Sequence, residues 1–284
     1  MKILILSDGK KGHENQAIAY AKLKNATYVI KQIRFKSRFA KALSYLLDWL
    51  RIYTDKLFDG FAIECDFDEV VGAGSGVYYA LKVAAKKCKK DAIALMQPKG
   101  YRKNFTKIYA PWHDGGDVPI NFSFSQSQEV FACKKPCVAL VVGGPNRIFS
   151  MDTDTIKNIV NFIQKRFPHH TKALTTSPRT PQEIEEYLSQ IDFDYKLIYS
   201  QNLLNPIGDF LACCEYVFIT IDSTSMISEA VSSGKACIEV VPLPAKKANK
   251  YAKMVKILAL EGYVHIFDGK LGKACKKIDL RKYL

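Results

Sequence analysis

The chain has 284 residues, 48% hydrophobic and 25% charged, and 42 Lys and Arg against 28 Asp and Glu give a formal net charge of +14. That balance excludes a disordered, collagen-like or membrane-embedded chain, and the length suits two ordinary domains or one large one. No apolar run approaches the ~18 residues that a transmembrane helix needs.

The opening Met1-Lys2-Ile3-Leu4-Ile5-Leu6-Ser7-Asp8-Gly9 turns polar too soon for a signal peptide and reads as a buried first strand, so a cytoplasmic protein is expected. The dominant rhythm is then a short apolar run, a glycine loop and a helical stretch. Ile3–Leu6 leads into Gly9–Gly12 and a helix from about His13. Residues 31–57 carry Phe39, Leu43, Leu46, Leu47 and Leu50 at helical spacing, flanked by Lys31, Arg34, Lys36, Arg38, Lys41 and Arg51. This is either a core-facing helix with a solvated basic side or a surface that docks on anionic membrane. Glu69–Val71 leads into Gly72-Ala73-Gly74-Ser75-Gly76 and a helix to about Lys90, followed by strands at Ala92–Met96 and Lys107–Ala110.

After an irregular polar segment, about Gly115 to Lys135, the rhythm restarts. Val138–Val142 leads into Gly143-Gly144-Pro145 and a helix from about Asp152; Lys172–Thr175 leads into a Ser/Pro/Arg turn and a helix from about Pro181. Tyr216–Ile221 leads into Asp222-Ser223-Thr224-Ser225 and a helix ending at Gly234; Ala236–Val241 ends at Pro242. Strands alternating with helices imply parallel sheets covered on both faces. We therefore expect two doubly wound domains, 1–134 and 135–284, whose ligands sit at the carboxyl ends of the strands, facing a shared cleft.

Several residues at those strand ends could carry chemistry. His13, at a helix start in a glycine loop, suits a general base, and Asp8 could orient or replace it; the bland reading is a capped turn. Gly9 and Gly12 let the backbone approach a ligand. Gly143 and Gly144 do the same in the second half, where Arg147 can add a charged contact to phosphate. Thr175-Thr176-Ser177-Pro178-Arg179-Thr180-Pro181 concentrates hydroxyls and a guanidinium, or is a turn with Thr180 as N-cap. Asp222, Ser223, Ser225 and Met226 open a helix that could hold phosphates. Glu229 shares a face with Ser225 and could bind a ribose diol, or is simply exposed. Asp66-Phe67-Asp68 and Asp152-Thr153-Asp154 read as loop and cap residues, and His113-Asp114 either lines the cleft or ends a strand. Tyr78-x-x-x-Lys82 matches a dehydrogenase-type base but follows a glycine loop in the wrong context, so a nicotinamide-dependent epimerase fits poorly.

The eight cysteines, Cys65, Cys88, Cys133, Cys137, Cys213, Cys214, Cys237 and Cys275, form no C-x-x-C pair and are expected to pack as small buried hydrophobes. Zinc at Cys133 and Cys137 is set aside, and no metal or cofactor is expected. The basic excess is mostly lysine, 34 against 8 Arg. It points to anionic membrane or substrate rather than nucleic acid, for which no motif appears.

Ser-Asp-Gly-Lys-x-Gly-His-Glu-Asn-Gln (7–16) resembles the opening of the elongated-mitochondria fission family and its bacterial relatives. Gly-Gly-Pro-Asn-Arg (143–147), Thr-Thr-Ser-x-Arg-Thr-Pro (175–181), Asn-Pro (205–206), Asp-Ser-x-Ser-Met-x-Ser-Glu-Ala (222–230) and His113-Asp114 resemble further family segments, in the same order. The resemblance implies an α/β, GT-B-like architecture of two Rossmann-like domains. It also implies glycosyltransferase activity on a nucleotide-sugar donor held mainly by the second domain, with Glu229 on the ribose and His13 on the acceptor side. The acceptor would be lipid-linked or a surface glycan of lipooligosaccharide core type, at the inner face of the cytoplasmic membrane. The other role the resemblance allows is a non-catalytic scaffold that recruits a protein partner or membrane.

Overall fold

The structure, a computed structural model, describes residues 1–133, 135–246 and 249–284. By its internal contacts the chain divides into two units, Met1–Ser123 with Leu280–Leu284, and Phe124–Asp279.

The first unit contains β1 (Lys2–Ser7), α1 (Lys11–Leu23), β2 (Thr27–Gln32), α2 (Arg38–Trp49), β3 (Glu69–Ala73), α3 (Tyr78–Cys88), β4 (Asp91–Leu95) and β5 (Lys107–Tyr109). Its five strands are all parallel, in the order β2-β1-β3-β4-β5. β1 and β3 are buried along almost their whole length, as expected of central parallel strands. The order reverses between β1 and β3, and that switch point is where a doubly wound sheet opens a crevice at its carboxyl edge.

The second unit contains β6 (Cys137–Val141), α4 (Thr153–Arg166), β7 (Thr171–Thr175), α5 (Gln182–Gln190), β8 (Tyr195–Leu197), α6 (Ile207–Cys213), β9 (Tyr216–Thr220), α7 (Thr224–Ser232), β10 (Cys237–Val241), α8 (Lys250–Leu260) and β11 (His265–Ile266). The order is β11-β10-β9-β6-β7-β8, again all parallel. This is the six-stranded Rossmann arrangement, with its switch point between β6 and β9. The fold class is thus α/β with two doubly wound sheets, as the sequence rhythm and the resemblance led us to expect.

Four expectations need correction. The boundary expected at 134–135 falls on Lys134, outside the described residues, while the contact division comes earlier, after Ser123. The reason is Asp209 on α6. Its buried carboxylate accepts the backbone N–H groups of Gln128, Glu129, Val130 and Phe131 at 2.9–3.2 Å, and the Ser127 hydroxyl, so the polar segment belongs to the second unit. The cysteines are not all isolated hydrophobes. The fold brings Cys65 against Cys88 and Cys237 against Cys275 as disulfides across 23 and 38 positions, and sets the Cys133 and Cys137 sulfurs in direct contact; Cys213 and Cys214 are free thiols. The helix in 31–57 is not simply core-facing. Leu43 and Leu47 pack inward, but Phe39 is 75% and Trp49 62% exposed, with Leu46, Leu50 and Ile52 also outside. Thr180 does not cap α5, whose N-cap is Pro181.

The two Asp-x-Asp strings are structural. Asp152 accepts from Thr155 N at 2.7 Å and caps α4, while Asp66 and Asp68 hold the Lys2 side chain and backbone. Lys82 is buried on Asp48 at 2.7 Å, and the Tyr78 hydroxyl donates to the carbonyls of Leu95 and Met96. Neither member of the Tyr-x-x-x-Lys string is placed for proton chemistry.

Candidate functional sites at the two switch points

In the first unit, the turn after β1 runs Asp8-Gly9-Lys10 into α1. Gly9, at φ +79°, takes the left-handed conformation that a tight turn needs. His13, in the first turn of α1, points its Nδ1 back at Asp8, 3.1 Å from Oδ1 and 3.2 Å from Oδ2. A carboxylate only accepts, so Nδ1 carries the proton and donates, which leaves Nε2 as the lone-pair nitrogen. Burial disfavours ionisation of Asp8, but the charge His13 carries when its ring is protonated and its hydrogen bond, with the Lys10 backbone and ammonium, outweigh it and hold the carboxyl below its ordinary range. Asp8 therefore orients His13 rather than replacing it.

The loop after β3 completes this site. A Cβ on Gly74 would strike the His13 imidazole, and one on Gly76 would come within 2.8 Å of the Asp8 side chain. The Asp8–His13 pair thus lies flat on the Gly74–Gly76 turn, across the β1/β3 switch point. The use of this glycine run is to let the pair approach. Gly12 is exposed in the first turn of α1. His113 and Asp114 sit in a 3-10 turn after β5, the edge strand farthest from β2 in this sheet. His113 is buried, with Nε2 3.8 Å from Asp114.

In the second unit the two strand ends at the switch point are tied together. Gly143 N donates to Thr220 Oγ1 at 2.8 Å, and that hydroxyl donates to Asp222 Oδ1 at 2.6 Å. Gly144 N donates to Asp222 Oδ2 at 3.1 Å, and Arg179 to the same oxygen at 2.8 Å. Thr180 Oγ1 bridges back to the Gly143 carbonyl at 2.6 Å. Neither glycine tolerates a side chain: a Cβ on Gly143 meets the Asp222 carboxylate, and one on Gly144 the Arg179 carbonyl.

This network distributes the expected binding residues unevenly. Asp222, its side chain fully buried, spends its carboxylate inward on the glycine loop and Arg179, so it shapes the loop rather than meeting a ligand. The buried Thr176 is committed as well, donating to Glu185 at 2.5 Å and accepting from Tyr199 N at 2.8 Å. Ser177 accepts from Arg179 N and lines a hollow of about 530 Å³ with Thr180, Glu185 and Tyr199. Arg147 is exposed, with no ion-pair partner among the described residues, and is the available guanidinium of the glycine loop. Ser223 caps α7 by accepting from Met226 N at 3.4 Å. Ser225 is exposed in the first turn and Glu229 half-buried one turn further on.

The residues missed by sequence reading are Thr220 and Asn146. Asn146 donates to the Asp222 carbonyl and accepts from Ile148 N and Phe149 N. An Asn after Gly-Gly-Pro signals such a turn; Thr220, the last residue of an apolar strand, carries no comparable signal.

The protein RP120 of Rickettsia prowazekii, uncharacterized, is 23% identical, the match covering 94% of this chain and 91% of that one. Among solved structures, a Listeria monocytogenes protein provisionally assigned as a UDP-N-acetylglucosamine 2-epimerase aligns over 93% of this chain and 83% of its own, at 10% identity and a TM-score of 0.52. The glycosyltransferase SnogD of Streptomyces nogalater aligns over 97% of this chain and 89% of its own, at 12% identity and a TM-score of 0.49. At 10% identity the Listeria likeness is one of fold alone. The family model described as Mitochondrial fission ELM1 matches residues 11–282, taking in His13, the glycine loops at 72–76 and 143–145 and α7, and the chain belongs to that family.

Proposed function

We propose that this chain is a glycosyltransferase that moves a sugar from a nucleotide-sugar to a lipid-linked or surface-glycan acceptor. The observation that carries the reading is the Asp8–His13 pair. A scaffold has no use for an imidazole held by a carboxylate with its second nitrogen left to take a proton, whereas an acceptor hydroxyl must lose one. The second unit would hold the donor. Its glycine loop and the α7 N-terminus offer backbone N–H groups, and Arg147 a charge, to the departing diphosphate. Glu229 would accept from the ribose hydroxyls. The chemistry proposed asks for no metal or cofactor.

Hydrogen bonds to a charged group contribute roughly 1.5–3 kcal/mol, so Glu229→Ala should weaken nucleotide binding by about one to two decades. Titration calorimetry with a panel of nucleoside diphosphates, including UDP, measures this; unchanged affinity in a folded variant removes Glu229 from the site. His13→Ala should lower transfer by about two to four decades, the usual worth of a general base. Full biological activity without His13 would establish the scaffold instead. Conversion of a UDP-sugar to its epimer with no acceptor present would place the chain with its Listeria neighbour.

The outer face of α2 supports a peripheral membrane position. Phe39, Leu46, Trp49 and Leu50 are exposed among basic residues, each of which can contribute about 1 kcal/mol near an anionic surface. No helix among the described residues is long and apolar enough to cross a membrane. Co-sedimentation with phosphatidylglycerol vesicles at low salt should occur and should be lost in Phe39→Glu/Trp49→Glu; absence of wild-type binding defeats the proposal.

A further inference from the structure

The edge of the second sheet opposite its switch point, where the strands begin, gathers four cysteines that the sequence scatters over 82 positions. Cys137 opens β6 and Cys133 lies in the loop before it; Cys213 ends α6 and Cys214 caps it. The sulfurs of Cys133, Cys137 and Cys213 all lie within 4.8 Å of one another. The Cys214 sulfur is 3.3 Å from that of Cys137. We infer that these four side chains, as thiolates, bind one zinc ion in a structural tetrathiolate site.

The geometry supports this choice. With Zn–S bonds of about 2.3 Å, a tetrahedron of sulfurs has edges of about 3.8 Å; three of the sulfurs already lie within 4.8 Å of one another and the fourth 3.3 Å from Cys137, so side-chain rotation about an ion brings them to that spacing. An iron–sulfur cluster would interpose its own irons and sulfides and spread the cysteines farther apart. Cys137 and Cys214 are fully buried, while Cys133 and Cys213 are partly exposed beside an open hollow of about 640 Å³ that gives an ion a way in. Lys235 lines that hollow and brings positive charge toward a tetrathiolate, while Glu215 beside it brings negative. Lys135 lines the same hollow. Loading the reduced chain with zinc releases four protons and transfers no electrons; the metal takes the place of the direct Cys133–Cys137 contact. The site would staple the loop entering β6 to α6, away from the groups assigned to transfer.

The sequence could not make this case. Cys133 and Cys137 offered two ligands with no C-x-x-C spacing and no histidine. The other two arrive because α6 ends next to the start of β6, where Glu215 N pairs with the Cys137 carbonyl at 2.8 Å.

The test uses the full chain purified under reducing conditions, loaded with zinc sulfate and dialysed against metal-free buffer. Elemental analysis should find one zinc per chain, and cobalt loading should give the sulfur-to-cobalt charge-transfer and tetrahedral d–d bands of a tetrathiolate. The partly exposed positions are the ones to vary: Cys133→Ser and Cys213→Ser should each lower affinity at least tenfold, while Cys65→Ser retains one zinc. Wild-type protein that holds neither zinc nor cobalt overturns the inference, whatever the variants do. So does zinc retained at full affinity in both serine variants, or a Cys133–Cys137 disulfide found by mass spectrometry in the zinc-loaded chain.

Discussion

His13 shows how much one backbone atom decides. Its ring lies over Gly74 because that residue has no Cβ and sits at φ +87°. Gly74→Ala should cost about 1–2 kcal/mol through backbone conformation alone. It should also push the imidazole off Asp8, and displacements of about 1 Å cost roughly a hundredfold in rate. A melting curve with a modest shift, beside transfer kinetics with a large loss, is the expected pair of results; unchanged kinetics would remove the His13–Gly74 contact from the mechanism. His13 and Asp8 were legible in the sequence as a loop with two chemical groups. Whether Asp8 orients His13 or takes its place as the base was not, because it depends on where the first turn of α1 points the ring. Asp222 was legible too, but its use was misread: a carboxylate at a strand end looks available until the neighbouring glycine N–H and Arg179 are seen to take it up.

At the scale of elements, α2 is fastened to the first unit by a buried charge cluster. Asp48, near its end, accepts from Lys82 of α3 at 2.7 Å and from Arg102 at 2.8 Å, and all three side chains are at most 4% exposed. Burial pulls the Lys82 ammonium down, and Asp48 pulls it partly back. Arg102 stacks on Tyr45 and Lys82 lies over Phe105, so the cations are also covered by aromatic faces. Removing one partner from such a group leaves an uncompensated buried charge, and Asp48→Ala should destabilise the protein by about 3–5 kcal/mol in urea titrations. A loss under about 1 kcal/mol, the range of exposed pairs, would mean that water reaches the cluster. The helical spacing of residues 39–50 was plain in the sequence, yet spacing alone could not divide it into an inner face at Leu43 and Leu47 and an outer one at Phe39 and Trp49. β2, β8 and β11 went unread because they lie toward the sheet margins, two of them are only two or three residues long, and β2 buries little.

For the whole molecule, Asp209 settles which unit owns the polar linker. Burial works against its charge, but the Ser127 hydroxyl and the N–H groups of 128–130 outweigh it and hold the carboxyl below its ordinary range. A carboxyl depressed on folding contributes stability above its unfolded pKa, about 3.9. That contribution is lost as pH falls through the folded value. The urea midpoint of Asp209→Asn should therefore lie below that of the wild type at pH 7, and the gap should close below about pH 3.9. A gap independent of pH would assign the effect to packing instead. The C-terminal turn, Leu280–Tyr283, belongs by contacts with the first unit although it follows the second in sequence.

The sequence alone determined the alternation of strands and helices, the two glycine-loop series and so the fold class, because hydrophobic period and glycine placement are local properties of the chain. The tertiary structure alone decided strand order, and with it the two switch points that bring the Asp8–His13 pair onto Gly74 and Asp222 onto Gly143 and Gly144. It also decided the gathering of Cys133, Cys137, Cys213 and Cys214. These are meetings of residues 60 or more positions apart, fixed by which strand lies beside which, and no local pattern in the chain encodes them.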